Sequence, residues 1–356
     1  MVTTDNLHIE SLDTLPTPAK VKSSLPLSER LEDQITDHRR TIEAILDRKD
    51  PRKIVIVGPC AAYDPEATIE YARRLAALAE TVKAEMLVVM RVYFEKPRTT
   101  TGWKGLINDP RLDDSFHVEE GLYVARQLLI SVAELGLPIA TEALDPIVPQ
   151  YIGDLISWTA IGARTVESQT HREMASGLSS PVGFKNGTDG NITIAINGIT
   201  SASQPHRFLG INQHGQCCVV QTRGNAYGHI VLRGGKTPNY DAAIVTETAR
   251  LMAKHGARPN IVIDCSHGNS NKDHTRQGAV FNDVLDQVVA GADSIVGWML
   301  ESNLKDGRQD LGKAPLTRGV SITDACISFD DTETLLLAAR ERLQESRRVV
   351  ASALTS

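Results

Sequence analysis

The sequence predicts an α/β protein built on one (β/α)8 TIM barrel, with an N-terminal arm and helix before it and a β-hairpin inserted ahead of its sixth strand. Three observations point there. Eight apolar runs of strand length recur, at 54–57, 86–91, 138–141, 158–161, 182–184, 229–232, 261–264 and 294–300, the pattern of strands buried on both faces. Segments of helical period lie between most of them, as parallel βα units require. No GxGxxG follows the first run, which counts against the competing open, doubly wound sheet.

Taken in order, residues 1–26 are polar with Pro16, Pro18 and Pro26 and read as an extended arm. Residues 27–48 place Leu31, Ile35, Ile42, Ile45 and Leu46 at helical spacing, closed by Asp50-Pro51. The division expected is therefore an oligomer-forming or regulatory extension over 1–50 and a catalytic barrel over 51–350. Asp64-Pro65-Glu66 supplies an N-cap and a first-turn proline for a helix running to 80, and Asp145-Pro146 repeats the device. Further helices are expected at 118–134, 191–202, 241–255, 278–290 and 332–348. The segments 207–212 and 217–222 flank Gln213-His-Gly-Gln216, a hairpin signature that places the insertion at about 206–224. Its adjacent Cys217 and Cys218 point to opposite faces of a strand and are given no chemistry.

Composition narrows the function. The 356 residues are 41% apolar and 23% charged, enough for a large core, and the net charge of −6 argues against coating nucleic acid. The first ten residues carry acids and no apolar core, so no secretory signal is expected, and no run approaches a membrane span. The five cysteines, Cys60, Cys217, Cys218, Cys265 and Cys326, lack CxxC spacing and fit reduced thiols in a cytoplasmic protein.

Cations in an acidic protein are local devices, and one stretch gathers them. The run 86–90 leads directly into Arg91, Lys96, Arg98 and Lys104, with Thr99, Thr100 and Gly102 among them. Arg offers a planar fork and Lys a mobile point charge, so this reads as a phosphate or carboxylate site. A solvated charge run is the plainer alternative. In a parallel barrel the active site forms where strands finish. The residues there are Gly58-Pro59-Cys60, Arg91, Glu142, Gly162-Ala163-Arg164, Lys185, Arg233, Asp264 with His267, and Glu301. The acids among them could simply pair with the bases; two separated anionic groups on the ligands account better for the surplus of cations. Each charge-assisted contact contributes roughly 1.5–3 kcal/mol. Cys60, His267, Glu301 and Asp324 form a second constellation, a thiolate, an imidazole and carboxylates suited to Mn2+, Fe2+, Co2+ or Zn2+. Taken singly, Cys60 reads as a packed core residue, His267 as a hydrogen-bonded loop residue and Asp324 as a cap.

The ordered motifs carry a resemblance. Val57-Gly-Pro-Cys60, Arg91-Val-Tyr-Phe-Glu-Lys-Pro-Arg-Thr-Thr100, Ala160-Ile-Gly-Ala-Arg164, Gly183-Phe-Lys-Asn-Gly-Thr188, Leu232-Arg-Gly-Gly-Lys236, Asp264-Cys-Ser-His-Gly-Asn-Ser270 and Ser321-Ile-Thr-Asp-Ala-Cys326 together resemble the class I 3-deoxy-D-arabino-heptulosonate-7-phosphate synthases, which open the shikimate pathway. The resemblance implies a (β/α)8 barrel and one divalent metal ion held by Cys60, His267, Glu301 and Asp324. It implies that Arg91, Lys96, Ala163, Arg164, Lys185 and Arg233, with Glu142 close by, bind phosphoenolpyruvate. Lys96, Pro97, Arg98 and Thr99, with Asp324, would meet erythrose 4-phosphate, making Lys96, Cys60 and His267 the catalytic set. Feedback inhibition by an aromatic amino acid is also implied, at a hairpin pocket assigned to Gly210, Pro149 and Ser179; Gly210 resembles the tyrosine-sensitive members. A homodimer or homotetramer is expected. One departure stands out: where the family commonly shows Ser-Ile-His-Asp after the cysteine, this chain reads Ala61-Ala62-Tyr63-Asp64. That change bears on metal preference and affinity.

Rival readings are a Schiff-base aldolase using Lys185 or Lys96, the related octulosonate-phosphate synthase, and a non-catalytic metabolite-binding barrel.

Overall fold

The structure, a computed structural model, describes residues 4–312 and 315–355; the first three residues of the expected arm lie outside them. All eight apolar runs are strands. They are β1 (Lys53–Gly58), β2 (Met86–Arg91), β3 (Ile139–Glu142), β4 (Trp158–Ile161), β5 (Val182–Lys185), then, after the hairpin strands β6 (Arg207–Ile211) and β7 (Cys217–Gln221), β8 (Gly228–Leu232), β9 (Ile261–Asp264) and β10 (Ile295–Asn303). They pair in parallel in that order, and β1 bonds both β2 and β10, which closes the barrel. A short β11 (Ile327–Ser328) pairs in parallel with the last two residues of β10. The helices are α1 (Pro18–Ser24), α2 (Glu29–Leu46), α3 (Pro65–Val82), α4 (Val118–Glu134), α5 (Pro149–Ile152), α6 (Gln169–Ala175), α7 (Thr193–Ala202), α8 (Ala242–Lys254), α9 (Gln277–Val289) and α10 (Phe329–Thr355).

The two-residue period of a strand decides what the barrel encloses. Ile54, Ile56, Val89, Ala140, Trp158, Ala160, Val231, Val262 and Met299 form one interior cluster, and Ile42, Ile45 and Leu46 of α2 belong to it. The last turns of α2 therefore plug the N-terminal end of the barrel. Two residues beyond this apolar layer, the same inward faces present Arg91, Glu142, Arg233, Asp264 and Glu301, and β5 places Lys185 after Gly183. A charged layer thus sits on a hydrophobic one, at the C-terminal mouth. Gly58 occupies the matching place on β1 with φ +154°, and a Cβ there would lie 2.6 Å from the Arg91 carbonyl oxygen. Only glycine lets β1 and β2 approach so closely.

Several expectations need correction. The arm is not extended throughout, because residues 18–24 form α1, with Pro18 in its first turn and the Thr17 hydroxyl accepting from Lys20 N at 3.2 Å. Its prolines read as breakers, yet one of them is a helix starter. Asp145 does not begin a helix; its carboxylate accepts from Ile147 N at 2.9 Å in a turn, and α5 starts only at Pro149. The sequence reading also passed over α6, a seven-residue helix too short to show a period. The arm is docked on the barrel: Tyr151 Oη donates to the Pro16 carbonyl at 2.9 Å, Ala19 N donates to Gln213 O at 2.8 Å, and buried Arg126 joins the Leu25 carbonyl to the Asp154 carboxylate.

The hairpin is as expected, paired from Arg207↔Gln221 to Ile211↔Cys217. Its outer face is apolar and uncovered, with Leu209 85% and Val219 67% exposed.

One buried acid is held between the β2 loop and the β3 loop. The Glu95 carboxylate accepts from Asp145 N at 3.3 Å, and burial together with the nearby Asp145 charge pushes its pKa up to about 8. An acid raised in the folded state contributes most to stability at low pH, and that contribution is lost as pH climbs from the unfolded value, about 4.3, through 8. Urea unfolding of Glu95→Gln should accordingly show a flatter pH dependence over that window and greater stability than the unaltered chain at pH 8.5. Parallel pH profiles would show that Glu95 ionises freely.

Candidate active site

The charged layer opens into a cavity of about 110 Å3 at the C-terminal mouth. Cys60, Arg91, Lys96, Pro97, Arg98, Glu142, Ala163, Arg164, Lys185, Arg233, His267, Glu301 and Asp324 all line it. Thr99 is the one substrate-site residue of the sequence reading outside that lining, and its hydroxyl accepts from Arg164 Nε at 3.2 Å. Lys104, read with the cation run, turns away and lies 5.8 Å from the Phe116 ring centroid. The loop carrying Lys96 and Arg98 folds back on itself: Lys96 N donates to Lys104 O at 2.9 Å, and Arg98 Nε to Trp103 O at 2.8 Å.

Of the four cations at strand ends, two are paired with acids and two are not. Buried Arg91 donates to Glu301 Oε1 at 3.0 Å and to the carbonyls of Pro59 and Cys60 at 3.2 and 3.3 Å, with its guanidinium 3.9 Å from the Tyr93 ring centroid. Lys185 meets Asp264 at 2.9 Å. Burial would raise the Asp264 pKa, but His267 and Lys185 outweigh it and hold the carboxyl well below its usual range. Arg164 and Arg233, by contrast, make no ion pair among the described residues. The bland alternative of a self-neutralised ring therefore accounts for Arg91 and Lys185 and leaves two guanidiniums facing the cavity. Burial lowers the Arg233 pKa, and a buried cation without a counter-ion is expensive unless an anion joins it.

The metal-ligand candidates also converge. Ligand atoms of Cys60, Glu301 and Asp324 lie within 4.8 Å of one another, and His267 Nε2 is 3.7 Å from Glu301 Oε1. His267 has φ +55°, a strained value for a residue with a side chain. It is held there by Lys272 N donating to its carbonyl at 2.7 Å, and Nδ1 lies 3.0 Å from Asp264 and 2.6 Å from Ser266 Oγ. This leaves Nε2 directed at the cluster, the usual arrangement behind a metal-binding imidazole. Gln277 clamps Glu301 from behind, donating to its carbonyl at 3.0 Å and accepting from its amide at 2.9 Å. Burial and the Glu301 carboxylate push the Cys60 thiol up, while Lys96 stands 3.3 Å from the sulfur and also bonds the Cys60 carbonyl. A sulfur and two carboxylates crowded together call for a cation, and this donor set fits a borderline divalent ion.

Sequence reasoning gave no role to Tyr93, Thr188 and Thr323, which line the same cavity together with Gly162, one of the strand-end residues it did single out. Gly162 is needed there because a Cβ would sit 2.1 Å from Glu142 Oε1, a buried oxygen with no hydrogen-bond partner. Asn186 and Asn239 were missed as well; Asn186 Oδ1 accepts from Arg233 N at 2.8 Å and from Asn239 Nδ2 at 3.2 Å, fixing the turn after β8. Nothing in their spacing marks them.

A second cavity, of about 430 Å3, gathers Pro149, Ser179 and Gly210, the three residues assigned to an effector pocket. Met174, Leu178, Phe208, Ile211 and Val220 supply apolar wall, and Lys22, Arg39 and Asp154 supply charge. Glu95 and Glu142 line it too, so Glu142 borders both cavities.

The comparisons agree with this geometry. Residues 30–337 match the model of the DAHP synthetase I family. The chain is 56% identical over 334 residues to the Tyr-sensitive phospho-2-dehydro-3-deoxyheptonate aldolase of Escherichia coli K12, covering 93% of this chain and 94% of that one. It is 50% identical to the Phe-sensitive enzyme of the same strain, over 93% of this chain and 95% of the other. A solved phospho-2-dehydro-3-deoxyheptonate aldolase from Francisella tularensis SCHU S4 superposes with a TM-score of 0.92 at 45% identity, covering 94% and 98% of the two chains. With the family model spanning most of its length and relatives at half identity or better, this chain belongs to the DAHP synthetase I family.

Proposed function

We propose that the chain condenses phosphoenolpyruvate with D-erythrose 4-phosphate and water to give 3-deoxy-D-arabino-heptulosonate 7-phosphate and phosphate, the first step of the shikimate pathway. The observation that carries this reading is the pair of guanidiniums without an ion-pair partner among the described residues, Arg164 and Arg233, beside the clustered donors of Cys60, Glu301 and Asp324, with His267 next to Glu301, within one cavity. Two anionic reactants meet only where a positive field holds both, and here buried Arg91 and Lys185 lie beneath the more open Arg164 and Arg233. Arg91, Arg164, Lys185 and Arg233 hold the phosphate and carboxylate of phosphoenolpyruvate, with the Ala163 backbone and Glu142 alongside. Pro97, Arg98 and Thr99 hold the phosphate of the aldose, with Asp324 near its reacting end.

Cys60, His267, Glu301 and Asp324 would hold the metal, which when bound supplies a Lewis acid for a carbonyl oxygen or for water. C3 of phosphoenolpyruvate forms its bond to the aldehyde carbon, and Lys96 gives its proton to the resulting alkoxide. Water adds at C2, and the C–O bond to phosphate breaks, leaving the ketone. Lys96 lies in the loop that folds back on Lys104, and its ammonium stands beside Cys60. This assigns a small-molecule enzyme with Mn2+, Fe2+, Co2+ or Zn2+ as cofactor and a cytoplasmic setting.

The hairpin cavity reads as an effector site for an aromatic amino acid, tyrosine foremost. Its walls combine apolar side chains with the Lys22 and Asp154 charges that a zwitterion needs, and a Cβ at Gly210 would press within 2.7 Å of Val220. The bare position lets the Val220 methyl seat in the cavity wall. The exposed Leu209 and Val219, with Leu7, Ile9 and Leu12 of the arm, support self-association into a homodimer or homotetramer through the 1–50 extension and the hairpin.

Phosphate release from the two substrates should be abolished by chelation and restored by a divalent ion, and Lys96→Ala should lower kcat by about 100- to 10,000-fold with little change in KM. Activity untouched by chelation, or trapping of a Lys185 adduct by borohydride, would instead favour the Schiff-base aldolase. Calorimetric titration of tyrosine, phenylalanine and tryptophan should rank tyrosine tightest; a clear preference for phenylalanine would end the Gly210 argument.

A further inference from the structure

Tyr63 lies outside the charged cavity and takes no part in the reaction just described. It stands three residues after Cys60, in the loop between β1 and α3, and is buried. The two intervening residues, Ala61 and Ala62, are buried methyls that can make no polar contact from their side chains. Tyr63 is thus the first polar side chain behind the thiol, and its hydroxyl does not face the thiol. It donates to the Val320 carbonyl at 2.9 Å, across 257 residues of sequence. Val320 immediately precedes Ser321-Ile-Thr-Asp324, the loop that brings Asp324 to Cys60.

Gln309 completes the contact. Its Nε2 donates to Val320 O at 2.9 Å, to Thr317 O at 2.8 Å and to the Tyr63 hydroxyl at 3.3 Å. Its Oε1 accepts from Thr317 N at 2.8 Å, and its own amide donates to Ser321 O at 2.8 Å. The base of the Asp324 loop is therefore held at Val320 by two side-chain donors, one from the Cys60 loop and one from the segment after β10. The atoms at the far end of this tie are Cys60 Sγ and Asp324 Oδ2, 3.9 Å apart.

We propose that Tyr63 is a positioning residue that couples the Cys60 loop to the Asp324 loop and so sets the spacing of the sulfur and the carboxylate for a divalent ion. The proposal rests on the reading of Cys60 and Asp324 as metal ligands. One hydrogen bond contributes only about 1 kcal/mol to folding. Residues standing behind metal ligands nevertheless change metal affinity by about 10–100-fold, because a ligand atom displaced by a few tenths of an ångström no longer shares the ion. A tie between two ligand loops should act on affinity far more than on stability.

The test is metal binding by the full chain without substrates. Tyr63→Phe keeps the ring and removes the hydroxyl, and the dissociation constant for Mn2+ and for Zn2+ is read by competition with a fluorescent chelator. Melting temperature is measured beside it in excess chelator. The expected result is a dissociation constant raised about tenfold or more, a metal-free melting temperature within a few degrees of the unaltered chain, and kcat recovered at saturating Mn2+. Equal dissociation constants for Tyr63→Phe and the unaltered chain overturn the tie while leaving the ligand assignment intact. An unaltered chain that binds neither ion overturns the ligand assignment, and the tie falls with it. Gln309→Leu removes the second donor to Val320 and carries the same measurement with the same outcomes if Tyr63→Phe does not fold.

Discussion

The arrangement depends on a guanidinium buried where β2 ends. Arg91 reaches Glu301 at the end of β10, the Pro59 and Cys60 carbonyls after β1, and the Met299 sulfur at 3.2 Å, while stacking on Tyr93. These contacts offset the cost of removing a charge from water, and they tie three neighbouring strands together at the mouth. Losing one partner of such a buried pair typically costs about 3–5 kcal/mol, since the other is left charged and dry. The same side chain therefore holds the Cys60 loop in place and keeps Glu301 turned toward it, so fold and site share one anchor.

The barrel makes that anchor possible through parity. Interior positions alternate along every strand, and the apolar layer of Ile56, Val89, Ala140, Val231, Val262 and Met299 excludes water beneath the charged one. Below it, α2 stoppers the opposite end with Ile42, Ile45 and Leu46. Charges above such a floor are poorly screened, which strengthens their hold on substrate anions. Arg164, exposed, and Arg233, partly exposed, make no ion pair among the described residues and keep contact with solvent at the open end of the cavity. The second cavity meets the first at Glu142, whose buried Oε1 lacks a partner, so the two cavities share a wall.

Much of this was legible in the chain. Eight apolar runs gave the barrel because each is buried on both faces, and the residues following them gave the site because parallel strands all finish at one end. What stayed hidden had no periodic or local signal. α6 is too short for a hydrophobic stripe, and Pro18 looked like one more breaker in a proline-rich arm. Pairing was equally invisible: nothing in sequence separates Arg91, which meets Glu301, from Arg233, which meets no acid among the described residues. Asn186, Asn239 and Gln277 act through backbone hydrogen bonds set by tertiary contact, and Tyr63 reaches Val320 only because two distant loops fold against each other.

The central claim is that one divalent ion and one phosphoenolpyruvate share this mouth. Anomalous diffraction from crystals grown with Mn2+ and phosphoenolpyruvate tests it most directly. The account predicts one strong manganese peak bound by Cys60, His267, Glu301 and Asp324, with the phosphoenolpyruvate anions on Arg164 and Arg233. A manganese peak elsewhere, or phosphoenolpyruvate held away from those two guanidiniums, would contradict it.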